Sequence, residues 1–121
     1  MYYIGIDISK FKHDCAVIDD SGEIVTPSWS FTNDAKGFSQ LKLLLNSLDT
    51  ETRIGLESTG HYGMNLKLFL ESNNFSFMEF NPLLINRFVK SKSLRKTKSD
   101  SIDCMMIAHY LMTVEYKPYP S

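Results

Sequence analysis

The chain has 121 residues, a formal net charge of −1, 43% hydrophobic and 22% charged residues, enough apolar material for one domain with its own core. Two cysteines without a CxxC pair argue against a zinc ribbon or a disulfide scaffold. No run approaches the roughly 18 apolar residues of a membrane span, and no basic leader precedes an apolar stretch, so a reduced, cytoplasmic protein with no membrane partner is expected.

Residues 2–8 are β-branched and aromatic and read as a buried strand. Residues 13–19 form a second run, and Asp20, Ser21 and Gly22 supply a turn into a third at about 23–31. Pro27 within that third run predicts an edge strand or a bulge. The period then changes: Phe38, Leu41, Leu45 and Leu48 recur at steps of three and four, predicting an amphipathic helix that starts near Asn33 or Asp34. A fourth strand is expected at 52–57, a tight junction at Ser58, Thr59 and Gly60, and a helix from about 62 to 72 with Leu66, Phe69 and Leu70 inside. A fifth strand follows at 75–80, and Asn81 with Pro82 reads as an N-cap and first turn of a helix to about 89. A last helix is expected from about 99 to 114, and residues 115–121, with Pro118 and Pro120, read as the start of a linker. This order predicts an α/β fold in which a meander and two crossovers build a mixed five-stranded sheet with flanking helices. It is compatible with a ribonuclease H-like architecture.

The near-neutral charge conceals an asymmetry. Arg87, Lys90, Lys92, Arg95, Lys96 and Lys98 crowd one segment that holds no acidic residue, pointing to a polyanionic partner. Ser91, Ser93 and Thr97 among these cations suit phosphate hydrogen bonds as well. Lys10, just past the first strand, is a further candidate phosphate contact.

Four carboxylates stand out. Asp7 interrupts an apolar strand, where an unpaired charge is costly if buried. Glu57 ends the fourth strand. Asp100 and Asp103 are three apart at the expected start of the last helix, where acidic residues also serve as caps, and Thr97 with Asp100 matches a capping box. Strand one, the end of strand four and a helix start can converge at one sheet edge. Two unit charges about 4 Å apart cost ~4 kcal/mol at a surface-like dielectric, so such a cluster calls for hard divalent cations. All-oxygen ligands suit Mg²⁺ or Mn²⁺ rather than zinc, and a metal pair can polarise a phosphodiester. His13, His109, Cys15 and Cys104 lack ligand spacing and read as structural, Tyr62 as packed, and His61 as a polar neighbour of a helix start.

Three blocks, in order and spacing, carry a resemblance: residues 3–19 (YIGIDISKFKHDCAVID), 56–63 (LESTGHYG) and 95–108 (RKTKSDSIDCMMIA). Over nearly its whole length the chain resembles the N-terminal domain of the DEDD transposases of the insertion-sequence one-ten family, the bridge-RNA-guided recombinases, to which the Piv-type DNA invertases are related. The resemblance implies a RuvC-like domain of the ribonuclease H class over residues 1–114, with the catalytic tetrad at Asp7, Glu57, Asp100 and Asp103 binding Mg²⁺, for which Mn²⁺ substitutes. It further implies DNA as substrate, a structured guide RNA and homo-oligomers. The family's second domain, with its serine nucleophile, has no counterpart in these residues, so the resemblance implies an incomplete enzyme. Three rival readings remain: a non-catalytic nucleic-acid-binding or dimerisation module, a Holliday-junction-resolvase-like nuclease, and an actin-like sugar kinase. The last would need glycine in its phosphate loop, where Ser9, Lys10, Phe11 and Lys12 stand.

Overall fold

The computed structural model describes residues 1–58, 60–92 and 103–119. Five strands, β1 (Tyr2–Ile8), β2 (Lys12–Asp19), β3 (Ile24–Thr32), β4 (Thr52–Glu57) and β5 (Met78–Phe80), form one sheet. Four helices, α1 (Ala35–Ser47), α2 (Met64–Ser72), α3 (Pro82–Ser91) and α4 (Cys104–Thr113), flank it. The strand order is β3-β2-β1-β4-β5, with β1, β2 and β3 antiparallel and β1, β4 and β5 parallel. This is the mixed sheet of a ribonuclease H-like α/β fold.

Alternation along β1 sets the two faces. Ile4, Ile6 and Ile8 point to one side and share a core with Phe38, Leu41 and Leu45 of α1 and Leu66 and Leu70 of α2. Tyr3 joins the other side, where Ile85 and Val89 of α3 pack with Ile107 and Leu111 of α4 and Phe80. On that second face α4 presses directly on β1. A Cβ on Gly5 would lie 2.1 Å from the Cys104 carbonyl oxygen and 2.5 Å from the Ala108 nitrogen, so only glycine lets the two backbones meet.

The edge strand β3 carries Pro27 as expected. The β2–β3 register slips between Cys15 and Val17 and again between Val17 and Ile18, which places Pro27 within an irregularity. Asp34 is the N-cap of α1, accepting from the Gly37 N–H at 2.9 Å. Asn81 caps α3 through the Leu83 N–H at 2.9 Å, and that helix runs on to Ser91.

Three expectations are corrected. The junction after β4 is a 3₁₀ turn over Gly60–Gly63, so α2 begins at Met64. The fifth strand is only three residues long. Residues 73–75 close α2 instead: Asn74 adopts φ 63°, its N–H donates to the Glu71 carbonyl at 3.1 Å, and the Phe75 N–H donates to Leu70 at 2.8 Å. Phe77 then pairs with Tyr119 in an antiparallel bridge, so residues 115–119 return along β5. Third, the last helix begins at Cys104, because Asp103 sits outside it in an extended conformation and caps it. Its expected first turn from residue 99, with Thr97 and Asp100, lies outside the described residues.

Candidate active site

Asp7 is the last inward-facing position of β1 on the α4 side. Parallel pairing of Ile6 with Leu56 sets Glu57 beside it on β4. Antiparallel pairing sets Asp14 of β2 directly opposite it on the other flank. The contact of α4 with Gly5 brings the helix N-terminus, and with it Asp103, to the same end of the sheet. Burial, followed by the charges of Glu57, Asp14 and Asp103, pushes the Asp7 carboxyl up from 3.8 to about 6. Like charges opposite one another in a sheet are destabilising, and here three surround a fourth that is partly buried.

The sequence pointed to Asp7, Glu57 and Asp103 but not to Asp14. No sequence signal singled it out, because the β1–β2 register that sets it opposite Asp7 depends on the turn the chain adopts. Asp14 accepts a short bond, 2.5 Å, from the Ser30 hydroxyl of β3. Asp103 has a structural duty, its Oδ1 accepting from the Met106 N–H at 2.9 Å. Asp100 lies outside the described residues. Among the described residues no three acidic, histidine or cysteine side chains gather as a metal-ion cluster. The Asp7–Glu57 pair fits a hard divalent cation by its oxygen chemistry and by the charge repulsion a cation would relieve.

Of the cations, Arg87 and Lys90 are exposed on α3 and Lys92 terminates it, whereas Arg95, Lys96 and Lys98 lie outside the described residues. Lys10 is exposed in the loop after β1, its Nζ 5.0 Å from the Phe11 ring centroid. His13 is fully buried, with its pKa lowered by burial against the opposing influence of Asn33 and Asp14. Cys15 and Cys104 are buried free thiols. His61 and Tyr62 are both exposed, with ring centroids 4.5 Å apart, so Tyr62 does not pack into the core as expected. A groove of about 510 Å³ lined by His61, Lys67, Glu79 and Tyr119 lies beside α2, on the opposite face from the carboxylates. No helix among the described residues is long and apolar enough to cross a membrane.

A ribonuclease H-like sheet with carboxylates at the ends of its two central parallel strands and at the start of the last helix defines the class: a carboxylate-bearing α/β domain. Comparison with known proteins makes this specific. A family model for the DEDD transposases of the IS110 type, described as transposase, matches residues 4–121, and the chain belongs to this family. The pilin gene-inverting protein of Moraxella lacunata is 33% identical over 111 residues, covering 89% of this chain and 33% of that protein. Its counterpart from Moraxella bovis is 34% identical over 112 residues, with the same coverage of 89% and 33%. The chain thus spans about a third of the length of these curated relatives.

Proposed function

We propose that the chain is the carboxylate-bearing catalytic domain, residues 1–114, of a DNA transposase or recombinase that acts on phosphodiester bonds during DNA insertion and excision, with the segment after it tied back through the Tyr119–Phe77 bridge. The observation that carries this reading is Asp7, held partly buried at the end of the central strand and pushed to about 6 by burial and by Glu57, Asp14 and Asp103. A partly buried carboxyl that feels the charges of three others has a use for a cation.

Asp7 and Glu57 would hold the divalent ion, Mg²⁺ with Mn²⁺ as substitute, and Asp100 and Asp103 complete the set by family resemblance. When bound, the ion supplies Lewis-acid polarisation of the phosphodiester and neutralises charge that develops on its oxygens. The chain's own residues bind and orient. Arg87, Lys90 and Lys92 on and after α3, together with Arg95, Lys96 and Lys98, attract the phosphate backbone, and Lys10 holds a phosphate at the carboxylate edge. Asp103, by capping α4, fixes the helix that closes this side of the sheet. A structured guide RNA and self-association belong to the same reading for the whole protein.

The test is Mn²⁺-dependent nicking of supercoiled plasmid. Wild type should convert it to the open-circular form, while Asp7→Asn and Glu57→Gln, both folded by circular dichroism, should lose at least 100-fold in rate. Equal rates in all three would reject the assignment.

A further inference from the structure

Residues 9–11 join β1 to β2 at the carboxylate edge, and Phe11 has no role in the reading above. It is 76% exposed, the highest among the exposed large hydrophobic side chains of the described residues. Such a side chain on a loose turn would mean little, but this loop is pinned on several sides. The Ser9 N–H donates to Nδ1 of His13 at 3.2 Å, and the Ser9 hydroxyl donates to the Lys12 carbonyl at 2.5 Å. From the end of β3, the Asn33 N–H donates to the Phe11 carbonyl at 2.9 Å and its Nδ2 donates to the Lys10 carbonyl at 3.1 Å. His13 is fully buried, and because its Nδ1 accepts, its Nε2 carries the proton. Buried Nε2 of His13 and buried Oδ1 of Asn33 are a complementary donor and acceptor on the two residues that hold the loop. The aromatic ring is therefore presented outward on a fixed backbone, which lowers the ordering cost of binding.

Its neighbours decide what it would bind. Lys10 stands 5.0 Å from the ring centroid, and Lys12, also exposed, is the next residue in the chain. An exposed ring flanked in sequence by two cations is the chemistry of base stacking combined with backbone neutralisation. The loop is also well placed. Asp7 pairs with Asp14 and Ile8 with His13, so the tip lies roughly 10 Å beyond Asp7 at ~3.4 Å per residue. A B-form strand covers that distance in about three steps of ~3.4 Å.

We propose that Phe11 is a stacking platform for an unpaired nucleobase of the DNA strand, with Lys10 and Lys12 on its phosphates, a few nucleotides from the bond addressed at the carboxylate edge. The inference rests on the DNA-processing reading for its partner and not on catalysis.

The experiment uses the 121-residue chain and oligonucleotides of one sequence as single-stranded DNA, duplex DNA and single-stranded RNA, each read by fluorescence anisotropy over a salt series. A 2-aminopurine in the DNA strand reports stacking. Phe11→Ala should bind single-stranded DNA roughly ten-fold more weakly, with unchanged salt slope and unchanged melting temperature, and Phe11→Trp should restore both affinity and 2-aminopurine quenching. Lys10→Ala should instead lower the salt slope by about 0.7. Equal affinity of Phe11→Ala and wild type, or full rescue by Phe11→Leu, overturns the platform while leaving the DNA reading intact. A Phe11 dependence seen on RNA alone overturns the choice of DNA as the stacked strand. Failure of wild type to bind any DNA at low salt overturns both readings.

Discussion

Replacing Asp7 by asparagine separates what the carboxylate costs the fold from what it gives the site. The side chain keeps its size but loses its charge. In the native chain burial and the neighbouring Glu57, Asp14 and Asp103 raise its pKa from 3.8 to about 6. Taken at face value that is ~3 kcal/mol of disfavoured ionisation at neutral pH. Asp7 is only partly buried, so screening reduces the figure to about 1–2 kcal/mol. The sign follows from proton counts: between the unfolded pKa near 4 and the folded value near 6 the native state binds more protons, so stability falls as pH rises through this window. At pH 7.5 in chelator, Asp7→Asn should therefore melt roughly 3–10 °C above wild type for a domain this size. Wild type should lose stability between about pH 4 and 6, and the variant should not share that loss. Addition of Mn²⁺ reverses the order. At 100 times its dissociation constant a ligand specific to the native state adds about 2.7 kcal/mol, or on the order of 10 °C, to wild type, and Asp7→Asn should lose most of this increment. The assay is a thermal melt of both proteins in chelator and in ten-fold steps of Mn²⁺. A variant less stable than wild type in chelator would refute the repulsion argument. A wild type unmoved by millimolar Mn²⁺ would refute the metal site.

Asp103 separates capping from charge: Asp103→Ala should cost about 1 kcal/mol in chelator and also lose part of the Mn²⁺ increment, whereas Asp103→Asn should keep the cap and lose only that increment, as thermal melts of both will show. Gly5→Ala should destabilise the fold by several kcal/mol, seen as a lowered urea midpoint, because its Cβ would meet backbone atoms of Cys104 and Ala108 that no side-chain rotation can move. Replacing Arg87 and Lys90 together by alanine should lower the salt slope of duplex binding by up to about 1.8 at unchanged melting temperature. An unchanged slope would move the DNA surface off α3.

Much of the fold was legible because it follows from local chemistry. The strand pattern of residues 2–8, the helical spacing of Phe38, Leu41 and Leu45, the Asn81 and Pro82 start of α3 and the disruptive Pro27 each act within a few residues. The carboxylates at Asp7 and Glu57 were legible for the same reason, as charges at the ends of apolar strands. What sequence alone left open depended on competition between neighbours. Phe75 matches a strand as well as any residue of the run 75–80, yet its N–H closes the end of α2, and β5 shrinks to three residues. Asp103 reads equally as a first-turn acid or a cap, and only its extended backbone with the bond from the Met106 N–H makes it the cap. Asp14 is one acid among many until register sets it across from Asp7. Composition and periodicity fix which segments form and which face they bury. Pairing register and the close approach of α4 to β1 are long-range, and they alone decide which charges must share one edge of the sheet.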